Sequence, residues 1–159
     1  MENSRARQLA DRLQAFNDDV TATVQALSPE QWLRTCREDW PVGVTARHIA
    51  VGHYDIIEFV RMIVRDNRLP EFTEEEVRQA ANEHAQKHAD CTQQEVLDLL
   101  RENAASLIDF VSGLRDDELE QRAYLSLAGQ KVSAENFIRE VVLNSGGEHL
   151  ESIKAALKG

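Results

Sequence analysis

An apolar stripe at helical spacing is the feature that most constrains how this chain can fold. Within residues 5–27 the apolar side chains are separated by steps of 4, 3, 4, 4 and 3, at Leu9, Leu13, Phe16, Val20, Val24 and Leu27. These steps place the side chains on one face of an α-helix, and that face must be buried against other elements. Comparable stripes predict helices over about 41–66, 92–114 and 134–157.

Side-chain caps indicate where several of these helices begin. Thr73 and Glu76 have the spacing of a capping box, which predicts a polar helix that runs to about His88. A second such pair begins the helix after Thr92. Ser133 is placed to cap the last helix. The polar helix has few apolar groups to bury, so we expect it to lie at the periphery of the fold.

Together these elements predict an all-α protein. The expected architecture is a four-helix bundle with a short additional helix and a long connector before the last helix. The connector covers residues 117–132 and has room for a hairpin around Gly129. The length of 159 residues fits a single domain over residues 1–159.

Net charge, the lengths of apolar runs and cysteine spacing argue against nucleic-acid binding, a membrane location and a disulfide framework. The formal net charge of −10 argues against attraction to nucleic acid or to an anionic membrane surface. No apolar run is long enough to span a bilayer, and Met1 to Arg5 begin a polar helix instead of an apolar signal segment. We therefore expect a cytoplasmic protein. Cys36 and Cys91 lack the spacing of a disulfide framework and are expected to be free thiols.

Three histidines fall on or near the buried faces of the predicted helices. His149 shares its face with Val142 and Ile153, and a histidine there must be hydrogen-bonded or bind a metal. His48 lies at the edge of the stripe of the second long helix, and His53 lies nearer its centre. Periodicity alone does not choose between His48 and His53. On spacing alone, a core histidine hydrogen-bonded to protein or water is the better explanation of His149, and a helix-face histidine without special chemistry is the alternative for His48 and His53.

Other candidate groups carry weaker indications of function. His84 and His88 have the i, i+4 spacing that can chelate a metal, although their neighbours are polar and fit a solvated helix face. Tyr54 and Asp55 could face His48 across a site. Adjacent glycines at 146 and 147 cost roughly 1 kcal/mol each in a helix, which suggests a close helix approach, space for a ligand or a kink.

Three motifs follow one another along the chain. The first is Thr35-Cys36 followed by Trp40-Pro41-Val42 and then His48-Ile49-Ala50, the second is the segment 82–95, and the third is Ser145-Gly146-Gly147-Glu148-His149-Leu150 with Ile153. In this order they resemble the DinB-like metal-binding superfamily. They are most similar to the mycothiol-dependent maleylpyruvate isomerase branch, in which a tryptophan opens the second helix and a histidine follows eight residues later. The resemblance extends over nearly the whole chain.

The resemblance implies a metal site with one departure. It implies a homodimeric four-helix bundle with zinc or nickel held by three histidines, of which His48 matches the first and His149 the third. Ser145 stands at the position of the second, and serine is a poor substitute for imidazole. Either the metal is lost or weakly bound, or another group supplies the ligand. The candidates are His53, Asp55 and Glu148; Glu148 is the least favoured because it points about 100° away from His149 on a helix.

Two functions of different classes follow from the resemblance. The first is a metal-dependent enzyme acting on a small molecule: a transferase or isomerase that uses a low-molecular-weight thiol, or a hydrolase. The second is a non-catalytic helical module that has lost its metal and binds a small ligand or forms a dimeric partner protein. Ser145 favours the second function, and the sequence gives the two equal weight. A generic four-helix protein with structural histidines would instead keep His48 and His149 far apart.

Overall fold

The computed structural model describes residues 3–158, and residues 1, 2 and 159 at the ends of the predicted 1–159 domain lie outside them. The chain is mainly helical. The α-helices are α1 (Ser4–Gln25), α2 (Pro29–Trp32), α3 (Val42–His48), α4 (Ile57–Asp66), α5 (Glu74–Lys87), α6 (Gln93–Ser112), α7 (Asp116–Leu119), α8 (Ala134–Ile138) and α9 (Gly146–Leu157). Two π-helical segments, π1 (Ile49–His53) and π2 (Arg139–Ser145), and a hairpin of β1 (Arg122–Leu125) and β2 (Gln130–Ser133) complete the fold.

Four long helical segments enclose the core, as the apolar stripes predict. α1 packs along α6, while α3 and π1 pack against α6 and α9. The predicted stripe of the first helix is buried at Leu9, Leu13, Val20 and Val24. α5 has no buried residue and lies beside α3, which agrees with its predicted place at the periphery. The all-α prediction is therefore confirmed.

The second long helix is not the continuous α-helix that the pattern predicts over 41–66. After α3 the backbone widens into π1, where the Tyr54 N–H donates to the Ile49 carbonyl five residues back. Residues 54–56 then interrupt the helix before α4 begins at Ile57. The apolar stripe persists through this interruption because Ile49, Ile56 and Val60 are all buried. Periodicity detects the buried face but not the change of helix type.

The last helical segment also contains a wide turn. π2 separates α8 from α9, so the predicted continuous helix over 134–157 holds seven π-helical residues. Its N-terminal cap is as expected, because the Asn136 N–H donates to the Ser133 hydroxyl at 3.0 Å. π1 and π2 lie side by side, and this contact determines the geometry of the site described below.

The predicted caps and the predicted hairpin are present. Thr73 and Thr92 each form a full capping box, at the start of α5 and α6. The connector forms the antiparallel pair β1–β2, and Gly129 turns it with a φ of 67°, which glycine adopts without strain. The Ser126 hydroxyl joins this turn to the segment before α5, because it accepts from the Phe72 N–H at 2.8 Å.

No helix among residues 3–158 combines the length and the apolar character needed to cross a bilayer.

Gly43 is expected to be the glycine least tolerant of substitution. A Cβ there would lie 2.2 Å from Trp32 Cε2, and the indole is held by a 3.1 Å hydrogen bond from its Nε1 to the Cys91 carbonyl. Gly43→Ala should therefore lower the free energy of unfolding by about 3 kcal/mol, through overpacking. Gly147 is the matched control, because a Cβ there would meet no atom of the described part of the chain within 4 Å. Gly147→Ala should raise stability by up to about 1 kcal/mol, and urea unfolding of both variants checks the contrast.

Candidate metal centre

The π1 segment brings two histidines of the same helix to one point. In an α-helix, residues five apart project about 140° from one another. In π1 the i, i+5 bonding places His53 above His48, and their ring centroids lie 4.9 Å apart. The wide turn therefore converts two side chains on different helix faces into neighbours.

His149 completes the histidine cluster, by which we mean His48, His53 and His149. It projects from α9, one turn beyond the end of π2. Its ring centroid lies 4.9 Å from that of His48 and 4.9 Å from that of His53. One ring nitrogen from each of the three side chains lies within 4.8 Å of the other two. The predicted convergence of His48 and His149 is thus present in the structure, with His53 as a third member.

The neighbouring helix fixes the tautomer of His53. Its Nδ1 lies 2.7 Å from the Val141 carbonyl of π2, and since a carbonyl only accepts, Nδ1 must carry the proton. The buried Nε2 then holds a lone pair, and it has no hydrogen-bond partner among residues 3–158. Burial, followed by the effect of His149, lowers the pKa of His53 to about 4. His53 is therefore neutral at physiological pH and ready to act as a ligand.

A carboxylate from the loop before α3 orients His149. The His149 Nδ1–H donates to Glu38 Oε2 at 2.5 Å, and the buried Ser152 hydroxyl donates to Glu38 Oε1 at 2.6 Å. Burial raises the pKa of Glu38, but the hydrogen bonds from His149 and Ser152 outweigh it and the net pKa is lowered. A carboxylate behind a histidine is the usual outer partner of a metal-binding imidazole.

His48 is held by packing. The Trp40 and His48 rings pack edge to face at a centroid distance of 5.0 Å. Gly52 lies behind the ring, where a Cβ would come within 2.8 Å of His48 Cε1. Burial, followed by the charges that His53 and His149 would carry, lowers the pKa of His48 to about 3. This imidazole is also neutral at physiological pH.

The other predicted ligands lie outside the cluster. Asp55 and Glu148 are exposed, and neither belongs to the group of ligating side chains found among the described residues. The Tyr54 hydroxyl donates to Asn17 Oδ1 in the core at 2.9 Å, away from the histidines. Ser145 is half-buried and lines the cavity beside them. Of the three candidates for the missing ligand, only His53 is in place.

The second histidine pair forms no comparable cluster. The ring of His84 on α5 lies 4.6 Å from that of His88, the residue that follows the helix, and Arg47 Nη1 donates to His84 Nδ1 at 3.3 Å. No third ligating side chain joins this pair within residues 3–158. Cys36 and Cys91 are buried free thiols, and burial is the largest cause of the raised pKa of each. Neither cysteine has the lowered pKa of a reactive thiolate.

Three imidazoles form a donor set that suits a divalent transition metal. Zinc–nitrogen bonds of about 2.0–2.1 Å place tetrahedral ligand atoms roughly 3.3 Å apart. The observed limit of 4.8 Å therefore requires side-chain shifts of about 1 Å, which rotamer adjustment can supply. Two features fit such an ion. The buried His53 Nε2 lacks a partner among the described residues, and the Glu38 carboxylate holds the imidazole of His149 in place. Open catalytic zinc sites likewise keep three protein ligands.

The cluster opens into a cavity of about 1030 Å³, here called the site cavity. Its walls come from the loop before α3 and from one face of α5, including Trp40, Val77 and Ala81. The Trp40 Nε1–H donates to Asn82 Oδ1 of α5 at 3.1 Å. The predicted peripheral helix therefore forms one side of the approach to the histidines.

Sequence reasoning did not identify the role of Glu38. Thr35 and Pro41 form a β-bridge that closes the segment before α3 into a tight loop. Asp39 in the loop has a φ of 65°, and the Arg37 N–H donates to the Ser152 hydroxyl at 3.0 Å. The bond from Glu38 to His149 links positions 111 residues apart. Only the tertiary fold reveals that bond.

Comparison with known proteins provides a family and a structural relative. The family model of the DinB superfamily matches residues 12–150. The structure is similar to that of YfiT from Bacillus subtilis, described as a probable metal-dependent hydrolase with an unusual four-helix bundle topology. The TM-score is 0.79 at 14% identity, over 99% of this chain and 89% of that of YfiT, which confirms the predicted bundle fold. No curated protein matches the sequence significantly.

Proposed function

The chain belongs to the DinB superfamily, and from that premise we propose that it is a metal-dependent hydrolase of a small molecule. The ion would be held by His48, His53 and His149. The single observation that carries the proposal is the convergence of three imidazole nitrogens within 4.8 Å, with His53 in place of the ligand that Ser145 does not provide. The description of YfiT as a probable metal-dependent hydrolase is consistent with this reaction class.

The chain's own residues orient the donors. The Val141 carbonyl accepts from His53 Nδ1–H, and the Glu38 carboxylate accepts from His149 Nδ1–H. Nε2 is therefore the nitrogen that each ring would offer to an ion. Trp40 packs against His48 and also stacks on His149 at 6.1 Å. When bound, a zinc or nickel ion would act as a Lewis acid that activates water near neutral pH. In hydrolysis, water gives its hydroxyl to the acyl carbon and its remaining proton to the leaving group.

Metal titration tests this proposal directly. Protein purified without an affinity tag and stripped with EDTA should bind one equivalent of zinc or nickel, measured by elemental analysis and calorimetry. Binding at 100 times Kd should raise the melting temperature by about 5–10 °C, because the ion stabilises only the folded state. Failure to bind either metal, with melting unchanged by EDTA, would instead support the metal-free ligand-binding or dimeric interaction module.

A low-molecular-weight thiol is the alternative co-reactant. Three expectations stay predictions: the likeness to the mycothiol-dependent branch, the homodimer and the cytoplasmic location. Turnover of nitrophenyl esters by the zinc-loaded protein without added thiol would support hydrolysis. Turnover only after addition of mycothiol or a comparable thiol would support thiol transfer at the same cluster.

Substituting Gly52 should weaken metal binding without removing a ligand. The added Cβ of Gly52→Ala would lie within 2.9 Å of His48 Cε1 and Nδ1, so the imidazole must move. We expect about 10-fold weaker zinc affinity, comparable to the loss of an outer-shell contact. Gly147→Ala is the matched control because its Cβ has open space. Equal zinc affinity of the two variants in calorimetry would show that His48 does not depend on Gly52.

A further inference from the structure

A second cavity of about 930 Å³ lies beneath the β1–β2 hairpin, between α4 and α8. Three phenylalanines form its core: Phe59 lies 6.1 Å from Phe72 and 6.4 Å from Phe137, measured between ring centroids. Leu125 and Val132 of the hairpin add further apolar wall. We call this space the Phe cavity. Apolar walls with a few polar groups at the rim are typical of small-molecule sites.

The Phe cavity and the site cavity meet. Glu74, Leu127 and Ser145 line both of them. Ser145 projects from the end of π2, one helical turn before His149, and its side chain is among the smallest that could occupy the junction. A molecule bound at the histidine cluster can therefore extend past Ser145 into the apolar space.

Two of the three charged side chains that line the Phe cavity, Arg139 and Glu140, are engaged with protein partners. Arg139 Nη2 lies 3.2 Å from Glu135 Oε2, and Asn144 Nδ2 donates to Glu140 Oε2 at 2.8 Å. The carboxylates of Glu74 and Glu140 add negative charge at the rim. This arrangement disfavours an anionic occupant and offers no counter-charge to fix one. The interior suits an uncharged apolar group.

Two large apolar side chains at the mouth are exposed. Leu127 is 41% exposed at the tip of the hairpin, and Phe72, whose N–H donates to the neighbouring Ser126 hydroxyl, is 37% exposed. An apolar ligand would cover both and gain the free energy of removing them from water.

We propose that the Phe cavity binds the uncharged apolar arm of the substrate, an acyl or aryl chain of several carbons whose reacting carbonyl lies at the histidine cluster. This inference rests on the proposed function and names its substrate class. The scissile bond is assigned to the site cavity, and the arm crosses the junction at Ser145. The enzyme would thus prefer medium-chain or aryl esters, amides or thioesters over acetyl compounds.

The test uses zinc-loaded protein and n-alkyl hydroxamic acids, whose head group chelates zinc. Calorimetry with the series from acetohydroxamate to octanohydroxamate should show affinity rising by up to about fourfold per methylene. We expect a total gain of at least about 100-fold. Equal affinity along the series would overturn the inference and leave the proposed function intact. A protein that binds no zinc in the preceding titration would overturn both.

Cavity-filling variants locate the arm. Val132→Trp should abolish the dependence on chain length while acetohydroxamate affinity is unchanged. Lys131→Trp is the matched control, because neighbouring strand residues point to opposite faces and Lys131 is exposed. Ala128→Trp fills the same cavity from the exposed turn, which keeps the test decisive if Val132→Trp does not fold. Retention of the full chain-length dependence in folded Ala128→Trp would place the arm elsewhere and overturn the inference.

Discussion

His53→Ala is expected to reduce zinc binding from one equivalent to a trace, with affinity lowered more than about 100-fold. Removing a ligand should cost more than the 10–100-fold typical of an outer-shell partner, and only His48 and His149 would remain. The change also removes the buried Nε2 that lacks a partner among the described residues, so the metal-free protein should keep its stability within about 2 kcal/mol. Elemental analysis and thermal melting measure the two effects separately.

His84→Ala is the matched control for this prediction. His84 belongs to a histidine pair on the same side of the molecule, but no third ligand accompanies it among residues 3–158. Its removal should leave zinc stoichiometry at one. If His84→Ala and His53→Ala lose zinc equally, the loss is not specific to the histidine cluster and the proposed ligand set is wrong.

A second-site change makes the prediction sharper. Ser145 occupies the position that the family resemblance assigns to the second histidine, and it lines the cavity into which the cluster opens. Adding Ser145→His to His53→Ala should restore zinc binding. The new imidazole would come from π2 and would again make three donors together with His48 and His149. Recovery in the double variant together with loss in the single variant would show that His53 and Ser145 are alternative positions for one ligand. Continued absence of zinc would show that Ser145 does not face the ion.

The helical architecture is predictable because the buried face of each helix requires apolar residues at helical spacing in the sequence. The steps between Leu9 and Val24 reflect a face that contacts α6 along its length, and those side chains are buried. Capping boxes at Thr73 and Thr92 are local, since each depends on residues three apart, and both were predictable for that reason. Local chemistry therefore determines element boundaries well in this chain.

The site was less predictable because it depends on a departure from α-helical geometry. A period of 3.6 residues separates His48 from His53 by about 140°, so the pattern offers them as alternatives. Their convergence requires the i, i+5 turn of π1, which the apolar stripe conceals because Ile49 and Ile56 remain buried. π-turns are frequent at functional sites, and a histidine pair at i, i+5 beside Gly52 is the pattern that could have indicated this one.

Glu38 also escapes sequence reasoning, for a different reason. Its partners His149 and Ser152 lie more than 110 residues away, and no periodic pattern reports contacts between a loop and a helix. The tight loop closed by Thr35 and Pro41 turns the carboxylate toward α9. The position of the Glu38 carboxylate relative to α9 depends on tertiary packing, and no local spacing in a single sequence encodes it.

Glu38→Ala is expected to weaken zinc binding about 100-fold although Glu38 touches no ion. The change leaves the His149 Nδ1–H without its acceptor, so the imidazole is free to rotate and loses basicity at Nε2. Glu38→Gln retains an amide oxygen that can accept this bond without the charge, and it should cost only about 10-fold. Competition calorimetry against a chelator of known affinity resolves both steps.

Glu148→Gln provides the control that separates orientation from overall charge. It removes the same negative charge from the residue next to His149, but Glu148 is exposed and lies outside the cluster. Its zinc affinity should change by less than about twofold, as expected for a screened surface charge. Equal losses in Glu38→Gln and Glu148→Gln would mean that the carboxylate acts only through the electrostatic field.

Ser152→Ala should give an intermediate loss of zinc affinity, because the Ser152 hydroxyl donates to Glu38 and does not reach the imidazole. An ordered series from Glu38→Ala through Ser152→Ala to Glu148→Gln would therefore identify the Glu38–His149 bond as the contact that prepares this histidine for a metal.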